Sequence, residues 1–193
     1  CEAVHPGYGF LSENAAFARA CRAAGLTFVG PRAEHLDLFG DKARARDLAR
    51  RMGVPVLPGA FAPVTLDEAR AFYRSLEGRH MVIKAIAGGG GRGMRIVEHE
   101  ADLDQLYARC QSEANAAFGN PAVYVEERFP NARHIEVQVV GDATGAVSHL
   151  WERECTIQRR HQKLVEIAPS PGLSPDTRAR LTEAAVRMAK EAG

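Results

Sequence analysis

Four consecutive glycines, Gly88 to Gly91, follow the apolar run Met81-Val82-Ile83-Lys84-Ala85 and precede Arg92, Gly93 and Met94. A helix or central strand does not accommodate such a run, because glycine loses more backbone freedom on ordering than any other residue. The segment is therefore a loop, and its flanks decide its type. Met81 to Ala85 and Met94 to Val97 both read as strands, so the loop is a hairpin tip. With no Cβ in the way, its backbone N–H groups can close around an anion. Lys84 adds a point charge from the preceding strand that can reach phosphate oxygens. Two other phosphate loops are excluded. No Gly-Lys-Ser/Thr follows, as a Walker A loop requires, and the loop leads into a strand instead of the helix of a dinucleotide fingerprint. A phosphate lid and a plain flexible hairpin tip both remain compatible with the run itself.

Around this loop the sequence predicts a small α+β layer. Thr65 and Glu68 form a capping box for a helix ending near Gly78. A second helix spans about Ala101 to Ala117, with Leu103, Leu106, Tyr107 and Cys110 at helical spacing, and Ala122 to Glu127 adds a strand. Upstream, Ser12 is the expected N-cap of a helix reaching Ala24, with Phe17, Ala20, Cys21 and Ala24 as its apolar stripe and Gly25 as its stop. Leu26 to Val29 reads as a short buried strand. Asp41 caps a helix ending at Gly53, whose arginines Arg44, Arg46, Arg50 and Arg51 read as a solvated face. Pro55 to Pro63 reads as a linker or domain crossing. Downstream, Ile135, Val137 and Val139 alternate with His134, Glu136 and Gln138, which places the three polar residues on one face of a strand. That face is either solvent or the lining of a cleft. Ser174 and Pro175 are the N-cap and N1 of a last helix reaching Ala192.

A chain of 193 residues has room for one substantial core or two small ones. Its 25 basic and 24 acidic residues nearly cancel, which weighs against a nucleic-acid coat or an anionic-membrane binder, since both need a large positive field. No apolar run is long enough to span a bilayer, and the first residues lack the basic and apolar regions of a signal peptide. Cys1, Cys21, Cys110 and Cys155 form no CxxC pair and suit reduced thiols in a cytoplasmic protein. The scattered histidines His35, His99 and His149 show no zinc-ligand spacing. Both ends read as cut, so the chain is expected to be an internal piece of a longer protein.

Two further segments carry chemistry. Arg153-Glu154-Cys155-Thr156-Ile157-Gln158-Arg159-Arg160-His161-Gln162-Lys163 ends in six polar residues in a row, rich in positive charge. It suits an anion site between two strands, and an exposed basic loop is equally compatible with its composition. His5-Pro6-Gly7-Tyr8-Gly9-Phe10-Leu11-Ser12-Glu13-Asn14 is a turn feeding a helix. HPGYGFLSEN, GDKARAR at 40–46, KAIAGGGGRGM at 84–94 and ERECTIQRRHQK at 152–163 occur in this order, and together they resemble the biotin carboxylase modules of biotin-dependent carboxylases. The resemblance extends over essentially the whole chain and is strongest to acyl-CoA carboxylases. Carbamoyl-phosphate synthetase, the alternative ATP-grasp ligase, is not similar at HPGYGFLSEN or QRRHQK. A piece that only binds nucleotide, without turnover, is the other alternative.

The resemblance implies an α+β, ATP-grasp fold fragment. Residues 1–54 would be the tail of an α/β pre-ATP-grasp domain with its connecting helix, 55–129 the small lid domain, and 130–193 the start of a larger antiparallel-sheet domain. It implies that Lys42 and Lys84 contact phosphates, with Gly88, Gly89, Gly90, Gly91 and Gly93 as the lid loop. Glu126, Glu127, Arg128 and Phe129 would form the hinge that reads adenine, the Glu126 carboxylate accepting from the exocyclic amine. His134, Gln158 and His161 would line the ribose and phosphates, and Lys163 would hold bicarbonate, with Lys163 and His161 the catalytic pair. The implied reaction uses ATP, Mg²⁺ and bicarbonate to carboxylate biotin on a carrier domain, for a carboxyltransferase to use on an acyl-CoA, pyruvate or urea. The family's metal glutamates, its glutamate base and its enolate-stabilising arginine fall downstream, so no metal ligand is expected among these residues. The resemblance also implies a homo-oligomer as the full protein, with neither nucleic acid nor membrane as a partner. Ala87 stands where many members extend the glycine run, and Glu127 where several have lysine.

Overall fold

Two short strands, β1 (Ala3–Val4) and β2 (Thr27–Phe28), pair in parallel through a 3-10 turn (Phe10–Glu13) and helix α1 (Ala15–Ala23). The computed structural model describes residues 1–60, 62–87, 93–142, 144–159 and 162–193. The expectations for Gly88, Gly89, Gly90, Gly91 and His161 lie outside these described residues. The chain divides into two units, 1–48 and 49–193.

In the first unit, α1 is capped by Asn14, whose Oδ1 accepts from the Phe17 N–H at 2.8 Å, and not by Ser12 as the sequence predicts. Ser12 is taken up in the 3-10 turn, its N–H donating to Gly9 O at 2.9 Å, whereas Asn14 has the extended backbone (φ −95°, ψ 104°) that a cap needs. The buried face of α1 carries Ala18 and Cys21, while Ala20 and Ala24 are exposed. The ring of Phe17 meets that of Phe28 edge-on at 6.0 Å. β2 is shorter and less buried than expected. It has one partner strand in this unit, and Val29 beyond it is exposed. Helix α2 (Ala33–Gly40), which the sequence reading did not anticipate, is tied to α1 by Arg19 and Asp37 at 2.7 Å. Helix α3 (Lys42–Arg51) starts as predicted, with Asp41 Oδ1 accepting from the N–H groups of Ala43 and Arg44. The division between the units falls within it.

The second unit contains the predicted layer. Helix α4 (Leu66–Ser75) opens on a complete Thr65–Glu68 capping box. Strands β3 (Met81–Ala85) and β4 (Met94–Val97), helix α5 (Leu103–Phe118) and strand β5 (Val123–Glu127) follow. The sheet runs β4-β3-β5, antiparallel throughout. Ile83, Val97, Val123 and Val125 on the sheet and Leu103, Tyr107 and Cys110 on α5 make one buried cluster with Ala69, Leu76 and Met81. Each large aliphatic side chain fully buried here contributes about 1.5–3 kcal/mol. Residues 55–63 do more than link. Pro58 O accepts from the Glu127 N–H at 2.9 Å and the Ala60 N–H donates to Val125 O at 2.9 Å, so the segment runs beside β5. Gly59 lies so close that a Cβ there would stand 2.8 Å from Val125 O.

Strands β6 (Ile135–Gly141) and β7 (Val147–Glu154) form an antiparallel pair, followed by the short hairpin strands β8 (Gln158–Arg159) and β9 (Gln162–Lys163) and by helix α6 (Pro175–Ala192), which packs on β6 and β7. Ser174 caps α6 as predicted, its Oγ accepting from the Thr177 N–H. The pairing holds one bulge: Val139 faces His149, yet Val137 faces Glu152, so β7 carries one extra residue. Trp151, at φ 66°, sits in that bulge. Strict alternation from His149 would have put Arg153 toward α6 along with Trp151, whose ring does meet Arg178 of that helix at 5.2 Å. The bulge moves β7 on by one, turning Glu152 and Glu154 to that side and Arg153 to the opposite face, beside Glu136.

Candidate functional site

On the lid sheet, Lys84 lies across from Tyr124 and Glu126 across from Val82, which puts Lys84 and Glu126 on one face as diagonal neighbours. Lys84 Nζ donates to Glu126 Oε1. Lys84 is half-buried and Glu126 nearly fully so, which leaves the lysine as the outward partner of the pair. The expected hinge residues do not converge through their side chains. Glu127 points to the other face and meets Arg79 at 2.7 Å, Arg128 meets Glu98 at 2.8 Å, and Phe129 is largely exposed. Gly93, at φ +64°, packs against the lid core: a Cβ would come 2.8 Å from that of Ala85, and its carbonyl accepts from Cys110 Sγ at 3.0 Å. Lys42 is the first residue of α3, in the other unit.

A second cluster forms on the face of β6 that points away from α6. It is the polar face seen in the alternation, and in the structure Glu136 at its middle is partly buried while His134 and Gln138 stay exposed. Gln158 Nε2 contacts His134 Nδ1 at 2.9 Å and donates to Cys155 O at 2.9 Å. An amide nitrogen only donates, so in this contact Nδ1 of His134 is the acceptor. Gln158 pairs with Lys163 across the β8–β9 hairpin, and Lys163 Nζ donates to Glu136 Oε2. Arg153 bridges Glu136 and Glu166, both at 2.5 Å. Of the predicted residues, the fold thus brings His134, Gln158 and Lys163 together.

The charges in this cluster hold one another. Burial works to raise the Glu136 carboxyl, but the hydrogen bond from Lys163 and the charges of Lys163 and Arg153 outweigh it and leave it below the usual range. Burial works to lower Lys163, but the Glu136 contact reverses this and holds the ammonium above its ordinary value. Lys163 is therefore a cation throughout the physiological range. One of its three N–H donors serves Glu136, and among the described residues no other acceptor is seen for the remaining two.

Glu136, Cys155 and Glu166 bring possible ligand atoms within 4.8 Å of one another, the one such group of three among the described residues. It does not fit Mg²⁺. That ion takes hard oxygen ligands, whereas the thiol here is buried and its pKa raised by that burial. Both carboxylates are already neutralised by Arg153 and Lys163.

The sequence reading assigned no role to Arg153, Glu166, Thr156 or Glu154, and it named Glu136 only as part of a polar face. Arg153 and Thr156 lay inside the polar segment, so their signal was present but not resolved into partners. Glu166 carried no local signal.

Residues 41–193 match the family described as "Carbamoyl-phosphate synthase L chain, ATP binding domain". The chain belongs to this ATP-grasp family. Residues 1–36 match "Biotin carboxylase, N-terminal domain", and the pairing of the two marks a module of the biotin carboxylase type. The chain is 54% identical to pyruvate carboxylase of Bacillus subtilis (strain 168) over 98% of its own length, and 53% identical to mitochondrial pyruvate carboxylase of Homo sapiens over all of it. It spans 16% of the length of either. Among solved structures, it superposes over its whole length on a Campylobacter jejuni biotin carboxylase described as a beta-gamma-ATP complex, with TM-score 0.94 and 47% identity, covering 43% of that chain. It also superposes on the biotin carboxylase domain of Hydrogenobacter thermophilus 2-oxoglutarate carboxylase, in complex with MgADP, ADP and bicarbonate, with TM-score 0.93 and 47% identity, covering 42% of that chain. No helix among the described residues is long and apolar enough to cross a membrane.

Proposed function

We propose that this chain is the nucleotide- and bicarbonate-gripping part of an enzyme that carboxylates biotin at the expense of ATP. The observation that carries the reading is the polar face of β6, where Lys163 meets Glu136, Gln158 meets His134, and two ammonium donors have no other acceptor among the described residues. Phosphoryl transfer needs mainly positioning and charge neutralisation. A bicarbonate oxygen attacks the γ-phosphorus, ADP leaves, and carboxyphosphate forms. Its carboxyl group then passes to N1 of biotin, and phosphate leaves with the attacking oxygen and takes up the proton that N1 gives up. Lys163 holds the bicarbonate, and His134, Gln158 and His161 line the ribose and phosphates. Lys42, Lys84 and the loop Gly88, Gly89, Gly90, Gly91 and Gly93 neutralise and enclose the phosphates. Glu126, Glu127, Arg128 and Phe129 border the adenine, with Glu126 also fixing Lys84. Mg²⁺, when bound, offsets charge on the phosphate oxygens. No described residue is assigned to it.

In domain terms, 1–54 is the tail of the preceding α/β domain, 55–129 the lid and 130–193 the start of the larger sheet domain. The partners are a biotin carboxyl carrier and a carboxyltransferase in a homo-oligomeric protein, and neither nucleic acid nor membrane is among them. The compartment is cytoplasmic, in keeping with four free thiols, although the human and rodent relatives are named mitochondrial. The test is ATP cleavage by the full-length protein that carries this segment. Cleavage that depends on bicarbonate and is stimulated by free biotin supports the reading. Bicarbonate-dependent cleavage indifferent to biotin would assign the segment to a carbamoyl-phosphate type of ligase instead.

A further inference from the structure

Lys163 and Gln158 reside on a twelve-residue excursion, 155–166, that leaves β7 and returns beside it. Glu154 is where both ends of that excursion are fastened. Its backbone exchanges two hydrogen bonds with Ile167 at the exit, the Glu154 N–H donating at 2.8 Å and the Ile167 N–H at 3.1 Å. Its carboxylate serves the entrance: Oε1 accepts from the Thr156 hydroxyl. That hydroxyl oxygen in turn accepts from the His134 N–H at 2.8 Å. Thr156 has one proton to give, so its direction is fixed: His134 N–H to Thr156, then Thr156 O–H to Glu154. Oε2 accepts from Arg133 Nη2 at 2.5 Å and from Ser170 Oγ at 2.8 Å, which gathers the start of β6 and the segment after the exit on one oxygen. The carboxylate is buried and reaches these partners because the Trp151 bulge turns it to the α6 side.

We propose that Glu154, acting through Thr156 and Arg133, is a positioning residue that sets the hairpin carrying Gln158 and Lys163 in register with His134. It touches no substrate in this reading. A carboxylate is suited to the task because it accepts at both oxygens without donating, so all three partners can point inward at once. Its pKa agrees with the geometry: the bonds from Arg133, Thr156 and Ser170 hold the Glu154 carboxyl at about 2, fully ionised at neutral pH. The identity of the ligand being positioned rests on the proposed function. The fastening itself does not.

The test uses the full-length protein with Glu154→Gln, Thr156→Val and Thr156→Ser. Amide exchange is read at Cys155, whose N–H donates to His134 O, and at Leu164, whose N–H donates to Ile157 O. Exchange at both should quicken in Glu154→Gln and Thr156→Val and return toward wild type in Thr156→Ser, which keeps the hydroxyl. In steady-state assays the first two variants should raise the bicarbonate KM about three- to tenfold, the loss of one net hydrogen bond, with kcat little changed. Unchanged exchange in both, or failure of Thr156→Ser to rescue, overturns the proposal. Should Glu154→Gln fail to fold, Thr156→Val alone decides in the same way. Altered exchange in a protein whose wild type cleaves no ATP would leave the fastening standing and remove the functional reading.

Discussion

Replacing Lys163 by alanine should weaken bicarbonate binding while leaving the fold almost intact, and the structure sets both sizes. Lys163 loses one contact to Glu136, but Glu136 keeps Arg153 at 2.5 Å, so no carboxylate is stranded. The Lys163 side chain is about one-third exposed. An ion pair in that setting is worth at most about 1 kcal/mol, so the melting temperature should move by only a few degrees. Holding an anion through one or two charged N–H donors is worth about 1.5–3 kcal/mol, discounted to the lower half of that range for exposure. At 1.36 kcal/mol per factor of ten, the bicarbonate KM should rise about 10- to 45-fold. The ATP KM should change far less. Paired titrations of bicarbonate and ATP on the full-length enzyme, with a thermal melt, read all three quantities. An unchanged bicarbonate KM beside a raised ATP KM would refute the reasoning and move Lys163 to the phosphates.

Gly93→Ala places a methyl 2.8 Å from the Ala85 Cβ at a positive φ, and should cost about 1–3 kcal/mol in a denaturant melt; an unshifted midpoint would contradict that packing. Burial pushes the Cys110 thiol up to about 11, so native protein at pH 8 should resist alkylation there and label only after unfolding. Fast native labelling, mapped by mass spectrometry, would show that the lid core opens. The Glu154 carboxyl lies at about 2, against an ordinary 4.5, so its stabilising contribution is complete above pH 4.5 and disappears as pH falls through about 2. The stability gap between wild type and Glu154→Gln, measured by urea unfolding, should therefore narrow on acidification below pH 4.5. A gap constant from pH 6 to pH 3 would contradict it.

The lid layer was legible because its signals are local. The Thr65–Glu68 box, the α5 spacing and the apolar run of β3 each act within a few residues, and the structure keeps all of them. Misreadings arose where a neighbouring element competed. The 3-10 turn withdrew Ser12 from capping and passed the task to Asn14, and α2 lacked the side-chain cap that would have announced it. The alternation of His134, Glu136 and Gln138 located the polar face correctly. It could not say what meets Glu136 there, because Lys163 reaches it from 27 residues away through a hairpin. The bulge at Trp151 was invisible for a related reason. Its one-residue shift becomes apparent only when β7 is laid against β6, and it decides that Arg153 joins Glu136 while Glu154 turns to Arg133.

The central claim, that bicarbonate is the phosphoryl acceptor beside Lys163, is tested most directly with bicarbonate labelled in all its oxygens with ¹⁸O. The full-length enzyme would turn over ATP and biotin in unlabelled water, and the released phosphate would be analysed by mass spectrometry. Attack by a bicarbonate oxygen on the γ-phosphorus, followed by cleavage of the C–O bond of carboxyphosphate, leaves that oxygen on phosphorus. The account predicts one ¹⁸O in each phosphate released. Phosphate free of ¹⁸O would mean that its fourth oxygen came from water as the acceptor, and the assignment of Lys163 and its hairpin would fall with it.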